Sequence, residues 1–113
     1  MSFEAELAAV AAWCDECDEI SLDHFRHGVG AEEKPDGTPV TAADRGIERF
    51  IRAEVARAFP GDAILGEEEG GSDGSSGRRW IVDPIDATTN FVRGVPVFAT
   101  LVALEDEQGP ALG

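Results

Sequence analysis

Apolar positions recur at helical spacing in two stretches and gather into short continuous runs in three others. From about Ser2 to Phe25, the residues Phe3, Leu7, Val10, Cys14, Cys17 and Phe25 fall on one stripe, and Ala, Leu and Glu supply propensity. That predicts an amphipathic helix, ended by Gly28 and Gly30. Residues 31–40 hold Lys34, Pro35, Gly37 and Pro39 without any period and read as a loop. After Thr41 a second stripe of Ala43, Ile47, Phe50, Ile51, Val55 and Ala58 marks another helix, closed by Pro60-Gly61. The first short run, Ala63 to Leu65, predicts a strand leading into the acidic triplet Glu67, Glu68 and Glu69. Gly70 to Gly77 is Gly/Ser-rich and reads as a flexible inserted loop. Trp80-Ile81-Val82 predicts a buried strand that ends in Asp83, turns at Pro84 and gives way to a short helix from Ala87. A turn over Val92 to Pro96 precedes the run Val97 to Leu104, suited to a strand buried on both faces. Glu105 to Gly109 reads as a hairpin-like turn, and another strand opens at Pro110. There is no internal repeat, and the end at Gly113 reads as a truncation.

At 113 residues and 42% hydrophobic content the chain suits one domain with a core. Nine basic against 23 acidic residues, a formal charge of -14, argue against nucleic-acid and anionic-membrane partners. The start MSFEAEL has no basic n-region or long apolar h-region, so the location expected by default is cytoplasmic. Cys14 and Cys17 have C-x-x-C spacing, but a zinc site needs further ligands and redox pairs usually follow a strand, so they read as core thiols. His24 and His27 share a helix end and suit its dipole.

The candidate chemistry lies in WIVDPIDATTNF, residues 80–91. Pro84 fixes its own φ and biases Asp83 to an extended conformation, so Asp83 and Asp86 can converge beyond the sheet edge. Hard cations such as Mg²⁺ select such oxygen clusters, and a helix starting at Ala87 offers backbone N–H groups to phosphate. The plainer alternative makes Asp83 a turn residue and Asp86 an N-cap. Asp44, in the first turn of the second helix, reads as a capping-box partner of Thr41 unless it has a distant partner. The acidic triplet, taken alone, reads as a solvated loop.

Taken together these stretches resemble the inositol monophosphatase family of magnesium-dependent phosphatases. Asp83-Pro84-Ile85-Asp86-Ala87-Thr88-Thr89-Asn90-Phe91 matches the family's Asp-Pro-(Ile/Leu)-Asp-Gly-Thr-x-Asn-(Phe/Tyr) at every position except Ala87. Gly66-Glu67-Glu68 matches its Gly-Glu-Glu element, and Val40-Thr41-Ala42-Ala43-Asp44 its Val-Thr-x-x-Asp element. Lys34-Pro35-Asp36, Thr38 to Thr41 and NFVRGVPVFATLVAL look most like the histidinol-phosphatase branch. The resemblance covers the N-terminal half of a usual member, and implies a layered α/β/α/β/α sandwich of which residues 1–113 supply two helices and the first sheet.

The resemblance further implies that Glu67, Asp83 and the carbonyl of Ile85 hold one Mg²⁺, with Mn²⁺ an alternative, and that Asp83 and Asp86 share a second. Thr88, bonded to Asp44, would orient the attacking water with Glu67; the N–H groups of Ala87 and Thr88 would bind phosphate; Lys34 and Glu68 would support the site. The implied activity is hydrolysis of a small phosphomonoester, histidinol phosphate in histidine biosynthesis, with inositol 1-phosphate the alternative, by a protein that is a homodimer when complete. A non-catalytic metal-binding or regulatory homologue is the reading from another class. Two departures matter: a Trp-Asp motif that completes the second metal site in the family is missing, leaving the piece alone inactive, and Ala87 puts a methyl group where φ > 0 would cost about 1 kcal/mol.

Overall fold

The computed structural model describes residues 2–28, 30–37 and 39–113. Met1, Val29 and Thr38, the last of them part of the Lys34 to Thr41 phrase, lie outside the described residues. Two long helices, α1 (Glu4–His27) and α2 (Ala42–Ala58), lie against a mixed sheet. The strands are β3 (Ala63–Gly66), β4 (Gly70–Ser72), β5 (Arg79–Asp86), β6 (Ala99–Asp106) and β7 (Gly109–Leu112), in spatial order β4-β3-β5-β6-β7. β3 runs parallel to β5 and every other neighbour is antiparallel. A separate hairpin, β1 (Ala31–Glu33) with β2 (Pro39–Thr41), precedes α2, and a single helical turn, α3 (Thr88–Val92), follows β5.

The core forms because the pleat sends Ile64, Trp80, Val82 and Leu104 to the same side, where the helices bring Trp13, Cys17, Ile47, Ile51 and Val55. Trp80 is fully buried between Trp13 and Phe59, with ring centroids 5.2 and 5.4 Å away, and its Nε1–H donates to Asp62 at 2.9 Å. Phe91 plugs the far end beside Phe25 and Phe98. No helix among the described residues is long and apolar enough to cross a membrane.

Several expectations are corrected. Residues 31–41 contain a hairpin, because Pro39 sits where a two-stranded ribbon tolerates a missing N–H and the Gly37 turn lets the strands pair. Gly70 to Ser72 pairs with β3 instead of continuing as loop. The first helix runs two residues beyond Phe25, and its residue Leu7 is 57% exposed, while Cys17 is buried and Cys14 half-buried. The strand expected over Val97 to Leu104 begins at Ala99. It is not buried on both faces: Leu101 is 50% exposed, since helices cover only one side of the sheet.

Candidate active site

β5 does not stop at Asp83. It continues through Pro84 to Asp86, and the ladder to β6 takes three steps on β5 (Asp83 to Asp86) against two on β6 (Leu101 to Ala99). That is a bulge with one extra residue, and the Thr100 hydroxyl anchors it by donating to the Pro84 carbonyl at 2.8 Å. In an unbroken strand, residues three apart face opposite ways; the extra residue cancels that alternation. Pro84, which has no N–H to lose, sits where the ladder is interrupted.

Asp83 is the electrostatic focus. Its Oδ1 is buried and has no hydrogen-bond partner among the described residues. Its carboxyl is pushed up to about 7, by burial first, then by the neighbouring Glu67 carboxyl and its charge, and then by the charges of Asp86 and Asp44. Acids crowded together away from water repel one another, so this arrangement asks for positive charge.

Asp44 is buried and fully satisfied. Its Oδ2 accepts from the Thr41 backbone N–H at 2.9 Å and the Thr41 hydroxyl at 2.5 Å, and its N–H donates back to Thr41 Oγ1 at 3.2 Å, closing a capping box. Its Oδ1 faces the Thr88 hydroxyl at 3.1 Å. The cap is therefore made by one oxygen of the carboxyl and the bond to the distant Thr88 by the other. Thr88 Oγ1 also lies 2.9 Å from the carbonyl of Ile85, so its single proton has two acceptors.

The Glu67 loop is held from both sides. The Glu67 N–H donates to the Val82 carbonyl at 3.2 Å, while the N–H groups of Glu68 and Glu69 donate to the two carboxyl oxygens of Glu48 at 2.8 and 2.7 Å. Glu48 is fully buried on α2 and receives Arg52 Nε at 3.2 Å. Sequence reasoning passed over Glu48; the available signal was its i+4 spacing from Asp44 on the flank of the apolar stripe. Lys34 reaches over from the β1–β2 turn, its Nζ 3.3 Å from Glu68 and 3.9 Å from Glu67. Burial pushes the Glu68 carboxyl up more than Lys34 lowers it; the Lys34 ammonium, opposed by its own desolvation, is raised by Glu68.

Asp86 and Ala87 are exposed and Ile85 is buried. The helix expected to start at Ala87 starts at Thr88; Ala87 is its N-cap, in the left-handed region at φ 65°, ψ 50°. Among the described residues Ala87 is the one non-glycine with positive φ. Its carbonyl accepts the Phe91 N–H at 3.1 Å, so the strained residue turns the chain from β5 into α3.

Glu67, Asp83, Asp44 and Thr88 are thus brought to one end of β5, with Lys34 and Glu68 beside them, while Asp86 acts on Asp83 through its charge. Among the described residues no three His, Cys, Asp or Glu side chains already surround one point. The donor set nevertheless fits a hard cation: it is all oxygen, it is short of hydrogen-bond donors, and one oxygen is orphaned in the interior.

A model of the inositol monophosphatase family matches residues 4–113. The chain is 49% identical over 109 residues to the histidinol-phosphatase of Mycobacterium tuberculosis, a span of 96% of this chain and 42% of that protein. It is 52% identical over 75 residues to an inositol-1-monophosphatase of Rhizobium meliloti, covering 66% of this chain and 28% of the relative. The extragenic suppressor protein suhB of Bartonella henselae superposes with a TM-score of 0.88 at 29% identity, over 96% of this chain and 43% of that structure. The chain spans well under half the length of these relatives. With a family match over nearly its whole length, the chain belongs to the inositol monophosphatase family.

Proposed function

We propose that residues 1–113 form the metal- and phosphate-binding portion of a magnesium-dependent phosphomonoesterase acting on histidinol phosphate. The observation that carries this reading is Asp83: a buried oxygen without a partner among the described residues, with Glu67 beside the same carboxyl and the charges of Asp86 and Asp44 upon it. Glu67, Asp83, Asp86 and the Ile85 carbonyl would hold Mg²⁺, or Mn²⁺, which when bound neutralises these acids and acts as a Lewis acid toward phosphoryl oxygens.

The chain's own residues account for the rest. If Thr88 gives its proton to Asp44, its lone pairs face outward and can accept a hydrogen from a water molecule, aiming that water at phosphorus alongside Glu67. The N–H groups of Ala87 and Thr88, at the turn into α3, would bind phosphate oxygens, with Lys34 and Glu68 supporting the loop. No residue need form a covalent bond to phosphorus. Histidinol phosphate is favoured as substrate because the likeness to the histidinol-phosphatase covers 96% of the chain. Inositol 1-phosphate is the alternative, favoured by 52% identity over the shorter stretch.

Turnover is proposed to require the part of the family that these residues do not span. Fusing residues 1–113 to the remainder of the Mycobacterium tuberculosis relative should give Mg²⁺-dependent hydrolysis of histidinol phosphate exceeding that of inositol 1-phosphate, while residues 1–113 alone give none. Calorimetry on the fusion should show Mg²⁺ binding that Asp83→Asn abolishes. Binding unchanged in that variant removes Asp83 from the site; a fusion that binds Mg²⁺ but hydrolyses neither ester favours the non-catalytic homologue.

A further inference from the structure

Glu48 lies outside every motif discussed, yet it is fully buried and its two oxygens receive consecutive backbone N–H groups, those of Glu68 and Glu69. The fit leaves no room. A Cβ on Gly66 would stand 2.3 Å from both Cδ and Oε1 of Glu48, so the loop passes the carboxyl only because residue 66 has no side chain. On the other flank, Glu67 is tied to β5 through Val82. The backbone of Glu67 is therefore gripped between a strand and a helix while its side chain, 48% exposed, is left free of backbone duties. Arg52 completes the grip by bonding both Glu48 and the Gly70 carbonyl, where the loop ends.

We infer that Glu48 is a positioning residue: its carboxyl is the template on which the Gly66–Gly70 loop folds, and through that loop it sets where Glu67 meets Asp83. Asp44 and Glu48 are one helical turn apart on α2, so a single rigid helix positions both Thr88 and Glu67. A glutamine at 48 keeps the shape and one acceptor oxygen but turns an NH₂ group toward the other N–H, so one of the two bonds becomes a repulsion. This inference deepens the metal-site reading of Glu67 and rests on it for its consequence, not for the grip itself.

The test is NMR and Mn²⁺ EPR on residues 1–113, comparing the unaltered chain with Glu48→Gln and Gly66→Ala, which displaces the same carboxyl without removing it. In both variants the amides of Glu68 and Glu69 should exchange at least tenfold faster and the Glu67 N–H order parameter should fall, with Trp80 and Val82 in β5 still protected. Mn²⁺ should bind at least tenfold more weakly. Unchanged amides and an unchanged Glu67 overturn the inference. Faster exchange with unaltered Mn²⁺ affinity also overturns it, leaving Glu48 a loop anchor only. If the unaltered chain binds no Mn²⁺, the order parameter of Glu67 decides the positioning role, and the metal reading is decided separately by calorimetry on the fusion. Should one variant lose β5 protection, the other gives the answer; loss in both means that Glu48 holds the fold and overturns the inference.

Discussion

The flank of α2 and the end of β5 both bury acids, and they treat them in opposite ways. On α2, Asp44 receives three donors and Glu48 receives three. At the end of β5, Asp83 has an oxygen with no partner among the described residues and another acid, Glu67, beside its carboxyl. Asp44 and Glu48 are fully buried and Asp83 is half-buried, yet the sharper difference between them is hydrogen-bond satisfaction. A satisfied acid shapes the chain around it, whereas an unsatisfied one is a demand for something else, and the first kind holds the second in place.

The sharpest way to break this contrast is to make the same isosteric change in each region. Asp44→Asn must orient its oxygen toward the Thr41 donors and its NH₂ toward Thr88, reversing the polarity of a buried bond. We expect a loss of about 1.5–3 kcal/mol of stability, the range for hydrogen bonds to charged acceptors. Asp83→Asn should instead leave the metal-free chain at least as stable at neutral pH, because it removes a charge that its surroundings disfavour. Urea melts at pH 7 in chelator decide this, and a shared sign for the two substitutions would end the distinction between them.

The pH dependence sharpens the same point. The Asp83 carboxyl moves from 3.8 up to about 7 in the fold, so the folded state binds a proton more tightly than the unfolded one. Its contribution is fully present below about pH 4 and is lost as pH rises through about 7. Asp62 works the other way. Although burial opposes it, bonds from Arg78, Ser76 and Trp80 hold its carboxyl below the usual value, so its contribution is present above the unfolded value and is lost as pH falls through the folded one. In chelator, Asp83→Asn should therefore flatten the decline between pH 4 and 7 without touching the loss at lower pH. A decline that persists in the variant would belong to another group.

Much of this was legible in the residues. Helices announced themselves by period and strands by short apolar runs; Asp83, Asp86 and Glu67 stood out as candidate oxygen ligands, and Asp44 as a partner of Thr88, at spacings with a family resemblance. What the chain hid were effects set by its neighbours in space. The bulge after Asp83 depends on register with β6, which no local pattern in DPID encodes. The β1–β2 hairpin was masked by its two prolines, which read as breakers. Glu48 looked like an ordinary polar residue on a surface helix because the loop that buries it comes twenty residues later. Leu7 and Leu101 were placed inside by their hydrophobicity, but among the described residues no element covers them.

Ala87 tests the smallest difference between the two regions, a left-handed backbone at the site end against regular helix on α2. At φ 65° an alanine carries the left-handed penalty of about 1–2 kcal/mol that glycine escapes. Against that, glycine loses more freedom on folding, a cost of about 0.5–1 kcal/mol. The left-handed relief is the larger of the two, so Ala87→Gly should stabilise the chain by about 0.5–1 kcal/mol, read as a higher urea midpoint with an unchanged slope. Ala87 is also exposed, so removing its methyl opens the turn at which phosphate is proposed to bind, and inorganic phosphate should bind at least as well in the variant. A destabilised Ala87→Gly would mean that the turn relaxes around alanine, and that the methyl group at this position is no handicap to the fold.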